Sequence, residues 1–177
     1  MGTLQLSTSA TGEHFRFHTS ARTTGLFGFT WTLAPGKTGP GEHIHPHETE
    51  SFRMVSGVLR VWIRGEVRDL HPGDEVAVPP GVPHRFLNPG KVPAVVEVTL
   101  DGALLEDQFV PIAVLAAGKS DTSMRDLFGA LPHLAEAMRK GSVRPVSTVE
   151  ARLIAALARF ASWFGHAPLA PVTHWDA

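Results

Sequence analysis

At 177 residues, 43% of them hydrophobic, the chain suits one domain, long enough to bury about two-thirds of the surface its unfolded state exposes. Its 16 Lys+Arg against 17 Asp+Glu leave a net charge of -1, which gives no electrostatic footprint for nucleic acid or an anionic membrane. The absence of cysteine excludes disulfides and thiolate ligands. The first stretch, MGTLQLSTSATGEHFRF, has neither the basic start nor the apolar run of a secretory signal, and no apolar stretch approaches membrane-spanning length. A cytoplasmic protein with no membrane or nucleic-acid partner is expected.

Residues 13–100 read as short strands broken by Gly and Pro, the pattern of an all-β sandwich or barrel. Leu26–Leu33 alternates, with Phe27, Phe29 and Trp31 on one face. The turn-rich PGKTGPGE follows and leads into HIHPHETESF, residues 43–52. In Val58–Arg64 the trio Leu59, Val61 and Ile63 faces opposite to Arg60, Trp62 and Arg64, so the trio is expected inside. His71, Pro72, Gly73 and Asp74 make a tight turn, Glu75–Pro79 reads as a buried strand, and Val92–Leu100 closes the β-rich part.

After about residue 103 the periodicity becomes helical. Short helices are predicted within Leu104–Ala117, interrupted by Pro111, and within Leu131–Lys140, started by Pro132. In STVEARLIAALARFASWFG, Ser147 and Glu150 form a capping box and Gly165 supplies the stop. Val149, Leu153, Leu157, Phe160 and Phe164 recur at helical steps, a face expected to be buried against the barrel or another subunit. With exposed barrel edges, that face predicts a homodimer. The chain is accordingly divided into residues 1–103, a β-barrel domain, and 104–177, a helical extension packing on the barrel or on a dimer partner.

The ligand-rich stretch carries the chemistry. His43, His45 and Glu50 lie at spacings that let their side chains converge on one face, and His84 follows a Pro-Pro-Gly turn further on. Three imidazoles and a carboxylate make a site for one divalent transition metal. In six-coordinate geometry two positions stay open; iron, manganese, nickel and cobalt tolerate this, and zinc is possible as a closed tetrahedral site. Phe52 and Met54 share the parity of Glu50, and Phe86 that of His84, so they are candidate pocket residues, although Met54 reads better as core. His47 shares the parity of His45 and is a spare ligand or outer hydrogen-bond donor, placed at the rim by Pro46 and an exposed-looking Glu48. His14, His18, His71, His133, His166 and His174 have no ligand spacing. Few positive residues point inward by parity, which disfavours a phosphosugar.

Two spacings carry a resemblance. His43, His45, Glu50 and Gly57 in order, then Gly73, Pro79, Gly81, His84 and Asn88, are similar to the paired motifs of the cupin superfamily, over roughly residues 25–100. The glycine expected ahead of the first histidine stands one position early, at Gly36. The resemblance implies a double-stranded β-helix, the cupin jelly roll, here with a C-terminal α-helical extension. It also implies a metal-dependent enzyme acting on a small, largely apolar enolic or aromatic molecule. Dioxygenase chemistry is the leading expectation, with Glu50 as ligand or proton acceptor; a redox-neutral cyclase, isomerase or decarboxylase and a non-catalytic ligand-binding or regulatory module are the alternatives. A thiol-dioxygenase type with a Cys-Tyr cross-link is excluded, since the chain has neither residue.

Overall fold

Apolar alternation in the first hundred residues builds two antiparallel sheets. A computed structural model describes residues 4–8, 13–116 and 124–168. The strands before the ligand stretch are β1 (Leu4–Thr8), β2 (Glu13–Thr19) and β3 (Phe27–Leu33), with one helical turn, α1 (Ala21–Thr24), between the last two. Next come β4 (His43–Ile44), β5 (Glu50–Ser56), β6 (Leu59–Ile63), β7 (Glu66–Leu70), β8 (Glu75–Val78), β9 (His84–Leu87) and β10 (Ala94–Leu100). The extension holds α2 (Leu104–Ala116), α3 (Met124–Lys140), β11 (Arg144–Pro145) and α4 (Thr148–Trp163). One sheet runs β1-β2-β3-β10-β5-β8 and the other β11-β4-β9-β6-β7, so the molecule is a jelly-roll barrel with a helical extension.

The two sheets meet through side chains selected by strand parity. Phe27, Phe29, Trp31 and Leu33 of β3 are all buried, as are Leu59 and Val61 of β6, and Phe52 from one sheet packs on Phe86 from the other at 4.7 Å between ring centres. Trp62, on the outer face of β6, instead lies under the Arg85 guanidinium at 4.0 Å. The turn at residues 71–74 forms as expected: Asp74 N–H donates to His71 O at 2.8 Å and Gly73 has φ of 92°. A second glycine is required at Gly57, where φ is 79° and a Cβ would stand 2.5 Å from Pro93 O.

The structure corrects several expectations. β8 is an edge strand with only Val78 buried, because it pairs with β5 on one side alone. β1, which the alternation did not single out, extends the sheet beyond β2. Pro111 does not interrupt α2; Val110 and Ala113 beside it are buried in the core, and that packing outweighs one missing backbone bond. Pro132 likewise sits inside α3, which starts at Met124 rather than at the proline. Ala117 and His174 lie outside the described residues. In α4 the Ser147 cap holds, its side chain accepting from Glu150 N at 3.2 Å, but the buried residues of the helix are Ala158 and Ala161. Of the predicted apolar face, Val149, Leu153, Phe160 and Phe164 remain exposed and Leu157 is half-buried, so it does not pack into the barrel.

What holds the extension is a carboxylate that the sequence seemed to place outside. Glu48 is 2% exposed, and its oxygens accept from the N–H groups of Leu104 at 2.8 Å and Leu105 at 3.1 Å, the first turn of α2. Burial pushes its pKa up, against the lowering effect of those two bonds. Gly102 is needed beside it, since a Cβ there would lie 2.6 Å from the Glu48 carboxylate. At the other side of the chain, Glu106 accepts from Ser20 Oγ at 2.6 Å and Ala21 N at 2.7 Å, tying α2 to α1. Glu48→Ala therefore lowers stability by about 1–2 kcal/mol, a loss of roughly 2–8 °C in Tm by thermal unfolding. The exposed control Glu66→Ala moves stability by less than about 0.5 kcal/mol, and equal effects of the two would refute the capping role.

Candidate metal centre

Four side chains from three strands and one loop converge inside the barrel. His43 on β4 pairs directly with His84 on β9 within one sheet, Glu50 begins β5 of the facing sheet, and His45 follows β4. One ligand-capable atom from each of His43, His45, Glu50 and His84 lies within 4.8 Å of the others. All four residues are buried, between 0% and 7% exposed. The structure brings these four side chains together.

Each imidazole is oriented by a backbone carbonyl. Nδ1 of His43 lies 2.8 Å from Gly41 O, Nδ1 of His45 2.7 Å from Ser142 O, and Nδ1 of His84 2.8 Å from Val82 O. A carbonyl only accepts, so each Nδ1 carries a hydrogen and each ring turns its Nε2 to the common centre, with a lone pair there when the ring is neutral. There Glu50 Oε2 stands 3.0 Å from His84 Nε2 and 3.5 Å from His45 Nε2, yet these three atoms make no hydrogen bond. Lone pairs facing a carboxylate in a buried pocket repel unless a proton or a metal ion lies between them. The donor set and its unpartnered atoms therefore fit a divalent transition metal.

The electrostatics of the side chains are mutually dependent. Burial, reinforced by the neighbouring His84, pulls the pKa of His43 down to about 4. Burial acts the same way on His45, but the Glu50 carboxylate overrides it and leaves that pKa above the ordinary histidine value. Burial alone would raise the Glu50 pKa; His45 and His84 hold it well below the usual carboxylate range instead. Glu50 is kept ionised, as a ligand must be.

The cluster opens on a cavity of about 580 Å³ whose wall includes His43, His45 and Glu50 but not His84. Phe52 and Phe86 line it, as parity indicated. Met54 does not: it is 1% exposed within the core cluster. His47 is exposed and also absent from the lining; its ring packs over Gly141, where a Cβ would come within 2.8 Å. The roof belongs to the extension, with Phe109 of α2 standing edge-on to Phe15 at 4.9 Å between ring centres. Strand patterning missed three contributors. The Ser142 carbonyl and Glu48 act across separations of more than fifty residues, so no local signal marks them. Gln108, a polar residue on the apolar face of α2 shared with Leu105, Phe109 and Ile112, could have been found from helical spacing.

The family model for the cupin domain matches residues 29–101. A mannose-1-phosphate guanylyltransferase, ManC, of Salmonella typhimurium is 38% identical over 80 residues, 45% of this chain and 16% of that protein. A probable oxidoreductase, patJ, of Aspergillus clavatus is 43% identical over 49 residues, 27% of this chain and 15% of that protein. The chain thus spans about a sixth of the length of these curated relatives. Among solved structures, a cupin-superfamily sugar phosphate isomerase from Silicibacter pomeroyi is 22% identical, with a TM-score of 0.46 over 52% of this chain and 61% of that one.

Protein purified without an affinity tag is expected to bind one divalent ion per chain. At an ion concentration 100-fold above Kd, binding stabilises the fold by about 2.7 kcal/mol and raises Tm by roughly 5–10 °C. Glu50→Gln and His45→Asn should each weaken the ion, read by equilibrium dialysis, by more than the roughly 10–100-fold typical of losing an outer hydrogen-bond partner. Undiminished metal content in both variants would refute the ligand set.

Proposed function

We propose, from the match of residues 29–101 to the cupin domain, that this chain is a metal-dependent enzyme for a small, largely apolar enolic or aromatic molecule, acting as a dioxygenase. The observation that carries the reading is the cavity wall: aromatic rings border the His/Glu cluster, and among the described residues the lining holds no Lys or Arg. A phosphorylated sugar would need charge-assisted partners that this wall lacks. An enolate or phenolate on an apolar skeleton needs one anion-binding point, which a metal ion held by the cluster would supply, and apolar walls, which the aromatic rings supply.

In this reading the barrel supplies the ligands, and α2, α3 and Val143 of the extension cover the cavity. When bound, a divalent transition metal supplies Lewis acidity toward the substrate oxygen and the electron transfer that lets dioxygen react. The protein's own groups prepare the rest. The carbonyls of Gly41, Val82 and Ser142 hold the three rings in one tautomer, which fixes where a substrate oxygen can approach. Glu50, held ionised by its imidazole neighbours, is better suited to remain a ligand than to accept the substrate proton. Phe52, Phe86, Trp31 and Phe109 exclude water from the reacting carbon. Both atoms of dioxygen enter the product, so no external reductant is required. The similarity to patJ over 49 residues supports redox chemistry.

Metal-loaded protein is expected to consume one dioxygen per enolic or phenolic substrate lost, measured with an oxygen electrode, and Glu50→Gln should abolish the uptake. Turnover unchanged under argon would sink the dioxygenase reading and leave redox-neutral Lewis-acid chemistry, an isomerase or lyase, at the same site.

The exposed residues of α4 favour a homodimer. Trp163 at 85%, Val149 at 74% and Phe164 at 70% exposure form an apolar face larger than a lone helix normally leaves in water. Light scattering should give twice the chain mass of 19.1 kDa. Phe160→Lys combined with Phe164→Lys should return the monomer; a monomeric parent would contradict the dimer.

A further inference from the structure

Within the roof of the cavity one side chain departs from its surroundings. Gln108 sits on α2 beside Leu105, Phe109 and Ile112, lines the cavity with them, and is 4% exposed. Its backbone carbonyl holds the buried His133 ring at 2.7 Å, so the helix is fixed at this point. Its side-chain Oε1 nevertheless has no hydrogen-bond partner. A buried amide oxygen without a donor destabilises the fold, whereas a leucine would suit the apolar face. The other polar lining groups outside the cluster are differently placed. Glu13 already accepts from Trp31 Nε1 at 3.0 Å, and Thr38 is exposed at the rim. Among the described residues, Gln108 is the buried polar side chain that lines the cavity and is not part of the His/Glu cluster.

We propose that Gln108 is a specificity-determining residue whose side-chain amide hydrogen-bonds a hydroxyl group of the substrate. The substrate is then held at two points: an oxygen at the His/Glu cluster and a hydroxyl under α2, joined by an apolar skeleton. This rests on the proposed reading of the cavity as a site for an apolar oxygen donor. An amide in an apolar wall discriminates against an analogue that offers it no hydrogen-bond partner, because the amide then stays unpaired.

The test uses full-length metal-loaded protein with β-naphthol and a set of dihydroxynaphthalenes, which differ only in carrying a second hydroxyl, followed by calorimetric titration. At least one diol should bind the parent about tenfold or more tighter than β-naphthol, the size of one well-formed buried hydrogen bond. Gln108→Leu should reduce that preference to within about twofold, with β-naphthol bound no more weakly than by the parent and metal content unchanged. Its metal-free form should also melt no lower than the parent, since an unpaired polar group has been removed. A diol preference that is absent in the parent or survives in Gln108→Leu overturns the role of Gln108 while leaving the proposed function standing. A lower melting temperature for Gln108→Leu marks a structural glutamine and overturns it too. If neither probe binds the parent, the proposed function falls and the assignment falls with it.

Discussion

Three imidazole rings and an ionised carboxylate are directed at one point inside the barrel, each on a buried residue, and the rest of the architecture serves that convergence. Neutral rings facing a carboxylate gain nothing from one another when buried; only a positive charge among them makes the arrangement favourable. The barrel holds the groups there by register. His43 and His84 are direct neighbours across β4 and β9, and Glu50 enters from the facing sheet, paired with Leu100 and Val78. A one-residue slip in any of these strands would turn a ligand to the other face.

The helical extension is more than a cover. β11 pairs with β4, so Pro145 stands opposite His43, and the Ser142 carbonyl orients His45. In the other direction, Glu48 from the ligand stretch caps α2, and the His47 ring lies against Gly141 at the end of α3. The stretch between residues 43 and 50 is therefore clamped from both ends of the extension, and it alternates between two duties. His43, His45 and Glu50 face the cluster, while His47 and Glu48 face the helices. Loosening α2 or the α3–β11 link is expected to reach the cluster through these contacts, although Ser142 and Glu48 touch no reacting group.

Local patterns made the barrel and the clustering of His43, His45, Glu50 and His84 readable. Alternation placed Phe27, Phe29, Trp31, Leu59 and Val61 correctly, and parity placed Phe52 and Phe86 on the cavity wall. What escaped depended on distant partners. Glu48 looks like a surface residue because its capping partners are 56 and 57 positions away. Pro111 and Pro132 suggested helix boundaries, yet each lies within a helix, and around Pro111 buried apolar residues dominate over local propensity. The α4 stripe is apolar, but the residues of the helix that are buried are small ones, Ala158 and Ala161, and the large side chains stay outside. The reaction was least legible, since open coordination positions and an apolar wall are compatible with more than one chemistry.

The central claim is that His43, His45, Glu50 and His84 hold a single cation. X-ray absorption at the edge of the bound metal tests it most directly. The account predicts three imidazole nitrogens and one carboxylate oxygen at about 2.0–2.2 Å, with the multiple-scattering signature of histidine rings. A shell of oxygen scatterers alone, without that imidazole signature, would contradict it.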